Sequence, residues 1–94
     1  MTEPQFEWDE AKAARNVEKH GVTFQEASSV FRDPLAKVLP DPTGAPGEER
    51  AILMGHSDGS RLLLIVFTDR GDRIRIISAR EPTRHERQGY EEHS

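Results

Sequence analysis

Two consecutive stretches decide the fold: Arg61-Leu62-Leu63-Leu64-Ile65-Val66-Phe67-Thr68, and Arg73-Ile74-Arg75-Ile76-Ile77-Ser78-Ala79-Arg80. The first is apolar at every position from Leu62 to Phe67, which predicts a central strand covered on both faces. The second alternates before merging into apolar residues, and it follows the turn Asp69-Arg70-Gly71-Asp72, so it reads as the next strand of a meander. Upstream, Glu49 to Ser57 reads as a strand joined to Arg61–Thr68 through Asp58-Gly59, residues that tolerate positive φ in a hairpin. Leu35 to Leu39 gives one more strand. The segment 40–47 holds three prolines and two glycines and is expected to be a loop.

Towards the N-terminus, Phe6-Glu7-Trp8 alternates like a short strand, and Asp9 caps a helix over Glu10 to Lys19 that Gly21 terminates. The small apolar residues Ala11, Ala13, Ala14 and Val17 predict that this helix lies close to what it covers. Thr23-Phe24-Gln25-Glu26 is a capping box opening a second helix with the stripe Phe24, Ala27, Val30, Phe31, which stops at Asp33-Pro34. A further box, Thr83 to Glu86, starts a C-terminal helix reaching Tyr90. The expected architecture is α+β: an antiparallel β-meander packed by two N-terminal helices and one C-terminal helix. The 94 residues suffice for a single domain, with 1–5 and 93–94 expected as flexible tails.

Composition narrows the chemistry. There is no cysteine, hence no disulfide framework, thiol nucleophile or Cys-ligated zinc. The histidines 20, 56, 85 and 93 have no metal-ligand spacing, and Walker, dinucleotide, HExxH and nucleophile-elbow motifs are all lacking, so no cofactor is expected. The longest apolar run has six residues against the roughly 20 of a spanning helix, so the expectation is a cytoplasmic chain with no membrane partner.

Lys+Arg number 13 and Asp+Glu 17, a formal charge of −4, but six arginines lie between Arg70 and Arg87 against only Asp72, Glu81 and Glu86. That segment sums to +3 and the rest to −7. Ten of the 13 cations are Arg, whose fork matches phosphate oxygens in a bidentate way. Such an inventory suits RNA cleavage without metal, which needs a base for the ribose 2′-OH, fixed cations for the phosphorane and an acid for the departing 5′-oxygen. Glu49, His20, His56, His85, Lys19 and Tyr90 are candidate proton carriers. Arg80, between an apolar strand and a helix, is read as functional, because burying a guanidinium without a partner costs several kcal/mol.

The strings Phe6-Glu7-Trp8-Asp9, Lys12, Asn16, Lys19-His20-Gly21-Val22, Phe24, Glu26-Ala27 and Val30-Phe31 through Asp33-Pro34 resemble the opening of the BrnT-type toxin family. Glu49-Arg50, Gly55, Arg61-Leu62, Thr68, Arg70, Arg75-Ile76-Ile77-Ser78-Ala79-Arg80, Thr83, Glu86-Arg87 and Tyr90-Glu91 follow in the family's order. The resemblance implies a type II toxin with a compact RelE-like fold, an endoribonuclease that inhibits translation. It also implies a BrnA-type ribbon-helix-helix antitoxin as partner, with operator DNA reached only through that antitoxin. By the same resemblance, Arg80 and Arg50 stabilise the phosphorane, Glu49 or Lys19 is the base, and His20 or Tyr90 is the acid. Arg70, Arg75 and Arg87 are carried over as substrate-binding positions. Two departures stand out, Glu81-Pro82 before the last helix and the Pro/Gly-rich 40–47 loop. The competing reading is a non-catalytic module, a degenerate toxin that binds protein or nucleic acid and serves as corepressor.

Overall fold

A computed structural model of the chain describes residues 4–41 and 49–92. Its elements are β1 (Gln5–Glu7), α1 (Glu10–His20), α2 (Phe24–Ser29), β2 (Lys37–Pro40), β3 (Arg50–His56), β4 (Leu62–Asp69), β5 (Arg73–Arg80) and α3 (Arg84–Glu92). A 3-10 turn, Val30–Arg32, prolongs α2. The α+β architecture is the one the pattern predicts. The meander β2-β3-β4-β5 is antiparallel throughout, but the sheet as a whole is mixed. Its order is β1-β5-β4-β3-β2, and β1 lies parallel to β5 with Glu7 opposite Arg75. Alternation in Phe6-Glu7-Trp8 marks a strand without naming its partner. Phe6 turns into the core against Phe31, ring centroids 5.1 Å apart, while Glu7 faces the other way toward Arg75.

β4 sorts its side chains between two cores. Leu63, Ile65 and Phe67 join Val22, Phe24, Ala27 and Val30 beneath the N-terminal helices. Leu62 and Leu64 join Met54 and Tyr90 beneath α3. A strand with apolar residues at every position is what a sheet covered on both faces requires. Full burial of each such side chain is worth about 1.5–3 kcal/mol, so this strand carries much of the stability.

The first helix packs differently from its apolar pattern. Ala11, Ala14 and Val17 face solvent, Ala13 is half-buried, and the buried residue is Asn16. Its Nδ2 donates to the carbonyls of Val22 (2.9 Å) and Ala79 (2.8 Å), and its Oδ1 accepts the Ala79 N–H at 3.1 Å. β1 covers β5 only at residues 73–75, so beyond Arg75 the Asn16 amide takes the place of a neighbouring strand. That is why a polar side chain, rather than an alanine, occupies the buried face.

Local signals hold with small shifts. Asp9 accepts from Lys12 N–H, and Gly21, at φ +68°, donates to the Val17 carbonyl. Thr23 caps α2, although the Glu26 carboxylate is taken by Ser57 and Arg61. In the β3–β4 hairpin the left-handed residue is Ser60, at φ +63°, not Asp58 or Gly59. Ser57 accepts from Ser60 N–H and donates to Arg61, the pattern of a type I turn closed by a left-handed residue. Pro40, expected in the loop, ends β2 instead, which an edge strand tolerates. The remainder of that loop, 42–47, lies outside the described residues, as do residues 1–3 and 93–94 of the expected tails. Gln5, expected in the flexible N-terminal tail, is already in β1.

Candidate functional site

Lys19 follows Lys12 at i+7 in α1, and Arg15 lies between them, so 3.6 residues per turn put all three in one arc of about 60°. Glu10 and Glu18 fall outside it. The arc borders Asn16, and because that amide draws α1 against β5, the cations stand over the open edge of the sheet. A depression of about 370 Å³ lies there, between Lys12, Arg15, Lys19 and His20 of α1 and Ile77 and Ser78 of β5. None of the three cations is in an ion pair among the described residues. Asp9, which interacts electrostatically with Lys12 and Arg15, is held below its ordinary value chiefly by the Lys12 N–H, the hydrogen bond that caps the helix. Lys19 and His20 occupy the last turn, where positive charge is favoured by the helix dipole.

The other expected site residues lie elsewhere. Arg80 ends β5, and its fork grips the Glu86 carboxylate at 2.8 and 2.9 Å while donating to the Glu81 carbonyl at 3.2 Å. Glu86 also accepts from the Thr83 N–H at 2.8 Å, completing the capping box of α3. The Arg80 hydrogen bonds push the Glu86 carboxyl down to about 2 from an ordinary 4.5, and Arg80 is correspondingly raised. Arg80, read from the sequence as functional, thus has a structural partner in Glu86. Tyr90 is buried where α3 meets the sheet and donates to the Leu35 carbonyl at 3.3 Å. Burial first, and the Asp33 charge second, raise its hydroxyl pKa. Lys37 stands 5.3 Å from the centre of its ring.

Glu49 is exposed just before β3, and Arg50, its first residue, sits on the α3 side of the sheet opposite Thr68. Arg75 pairs with the same Thr68 from β5, which puts Arg50 and Arg75 two strands, about 10 Å, apart on one face. Arg75 is bound to Glu7 at 2.8 Å, and Arg73 lies 3.9 Å from that carboxylate. Arg80 pairs with Leu64, four residues along β4 from Thr68, so the Cα atoms of Arg50 and Arg80 are about 17 Å apart. Arg70, in the β4–β5 turn, and Arg87, on α3, are exposed and outside any ion pair among the described residues. His56 donates its N–H to Asp33 at 2.7 Å and its ring faces Tyr90, while His85 is exposed on α3.

The carried-over residues therefore form three groups rather than one. Lys19 and His20 share the α1 groove, Arg50 and Arg75 share a row on the sheet, and Arg80 and Tyr90 hold α3. A second cleft, about 430 Å³, opens between α3 and the sheet, but Leu39, Ile52, Met54, Leu64 and Tyr90 make its walls largely apolar. Among the described residues no group of His, Asp or Glu has a metal-binding arrangement. Sequence reasoning gave no task to Lys12, Arg15, Asn16 or Ser78. The spacing Lys12, Arg15, Lys19 was the available signal for the first two; Asn16 and Ser78 needed the tertiary contact.

Residues 8–86 match the family described as ribonuclease toxin, BrnT, of type II toxin-antitoxin system. The fold is similar to the crystal structure of the Brucella abortus ribonuclease toxin BrnT, with a TM-score of 0.67 and 25% identity over 87% of this chain and 100% of that one. The broader label RelE-like fits this architecture only loosely. No curated protein sequence matches the chain.

Proposed function

Because the chain belongs to the BrnT family of ribonuclease toxins from type II toxin-antitoxin systems, we propose that it cleaves RNA without a metal, through attack of the ribose 2′-hydroxyl, and so inhibits translation. The observation that carries this reading is the α1 groove, where a histidine, a lysine and further unmatched cations surround an open depression. Lys19 and His20 divide the two proton transfers, one taking the 2′-hydroxyl proton and the other delivering a proton to the departing 5′-oxygen. Arg80 follows Ala79, the residue held by Asn16, and lies on the α3 side of the sheet. Its fork exchanges the Glu86 carboxylate for a phosphoryl group of the same bidentate geometry. Arg50, Arg70, Arg75 and Arg87 hold flanking phosphates, and Glu49 and Tyr90 stand as the alternative base and acid.

The whole chain acts as one domain in the cytoplasm. A type II system implies an antitoxin, and we assign a BrnA-type ribbon-helix-helix protein to that place, which alone contacts operator DNA. The test is to induce the chain alone and with the product of the neighbouring reading frame, following growth and the 5′ ends of cellular RNA. Growth arrest with new 5′-hydroxyl ends, relieved by the partner, is expected. His20→Gln should lower cleavage by about 10²- to 10⁴-fold, the usual weight of one proton-transfer group. A folded protein that neither arrests growth nor makes new ends would transfer the reading to a non-catalytic corepressor.

A further inference from the structure

The groove extends beyond the two residues assigned to proton transfer. Lys12 and Arg15 continue the cationic arc toward the N-terminus of α1, and both are exposed. From Lys12 to Lys19 the helix rises through seven steps, about 10.5 Å of axis. At about 3.4 Å of axis for each charge in a helical strand, and more in an extended one, that length matches two or three successive phosphates. The opposite wall is the β5 edge at Ile77 and Ser78, fixed in place by the three hydrogen bonds of Asn16.

We infer that the α1 groove is a phosphate-tracking site for single-stranded RNA, in which Lys12 and Arg15 hold the backbone beside the bond presented to Lys19 and His20. This rests on the ribonuclease reading and adds the substrate's path. A net charge of −4 repels RNA from the molecule as a whole, so attraction has to come from a local field such as this one. The arc contributes three positive charges, offset in part by Asp9 at its N-terminal end, with Glu10 and Glu18 on other sides of the helix. A single strand fits the chemistry, because a nucleotide stacked in an A-form duplex cannot align its 2′-hydroxyl with the departing 5′-oxygen. Apart from the His20 imidazole the groove has no ring on which a base could stack, so its hold is on the backbone, tolerant of sequence and sensitive to salt.

The experiment is fluorescence anisotropy of a short labelled 2′-O-methyl RNA, which lacks the attacking hydroxyl, titrated with the full chain over a series of salt concentrations. Lys12→Ala and Arg15→Ala should each reduce the slope of log K against log salt by about 0.7, and the double variant by about 1.4. Arg84→Ala, exposed on α3 and outside the groove, should leave the slope unchanged. Alanine favours the helix and neither side chain has an ion-pair partner among the described residues, so circular dichroism should show all variants folded. Unchanged slopes in the Lys12 and Arg15 variants, or no binding by the wild type, would overturn the inference. So would loss of antitoxin binding in those variants with RNA binding intact. The ribonuclease reading fails separately: reduced slopes in a wild type that makes no 5′-hydroxyl ends would refute cleavage and leave the groove standing.

Discussion

Replacing Glu86 with Gln removes the charge that Arg80 grips while keeping an acceptor for Arg80 and for the Thr83 N–H. In the folded chain the Glu86 carboxyl is pushed down to about 2 from 4.5, chiefly by the Arg80 hydrogen bonds. At about 1.4 kcal/mol for each tenfold in proton affinity, the ceiling on that coupling is about 3 kcal/mol. The Arg80 and Glu86 side chains are 35% and 31% exposed, so solvent screening reduces the expected contribution to about 1–2 kcal/mol. The sign follows from linkage. A carboxyl that is more acidic folded than unfolded contributes fully above about pH 4.5, and its contribution is lost as pH falls through the folded value near 2. Urea unfolding of wild type and Glu86→Gln should thus differ by about 1–2 kcal/mol near neutrality, with the gap narrowing steadily below about pH 4.5. Other carboxyls titrate in the same range, Glu26 and Asp33 among them, but they are common to both proteins and cancel in the difference. A gap of the same size at neutral and acid pH would refute the reasoning, since the effect would then not come from the ionised carboxylate.

Asn16→Leu removes the partners of the Ala79 N–H and carbonyl and of the Val22 carbonyl in a buried place, and should cost about 2–4 kcal/mol in chemical denaturation. Gly55→Ala would set a methyl 2.7 Å from Ala36 Cβ and 2.9 Å from Asp33 Oδ2, so a loss of about 1–3 kcal/mol is expected in the same assay. Ser60→Gly relieves the one non-glycine residue at positive φ among the described residues and should raise stability by about 0.5 kcal/mol, seen as a higher urea midpoint with an unchanged slope.

Every element was legible in order and type because each signal was local. The apolar run of β4, the Asp9 and Thr23 caps, the Gly21 stop and the Thr83–Glu86 box need only neighbours within a few residues. The misses share the opposite property. The parallel pairing of β1 depends on where a chain returns after two helices, and the alternation of Phe6-Glu7-Trp8 is the same for either direction. The buried face of α1 was misread because an amide standing in for a strand looks polar in sequence, whereas the neighbouring alanines look like a core stripe. Ser60 carries the positive φ because turn type follows from how Ser57 and Arg61 close the hairpin, not from which residue is the most permissive.

The candidate site shows the same division with more at stake. A sequence can say that Arg80 will need a partner, but Glu86 becomes that partner only because the capping box of α3 turns its carboxylate back toward the end of β5. The family resemblance carries residue types to positions and cannot say whether those positions converge. Arg50 and Arg80, expected at one phosphorane, stand on one face with their Cα atoms about 17 Å apart by strand register, and the Arg80 fork is engaged by Glu86. Lys19 and His20 are brought to one groove by consecutive positions on a helix whose angle is fixed from below by Asn16. Asn16 therefore sets the geometry of the groove proposed as the site. The two properties are separable: in Asn16→Asp one carboxylate oxygen can still accept from Ala79, but the donor to Val22 and Ala79 is lost, so groove geometry should suffer before the apolar core does. RNA affinity falling at a pH and temperature where far-ultraviolet circular dichroism is unchanged is the expected result, and affinity that fails only together with the fold would show that Asn16 is a strut and nothing more.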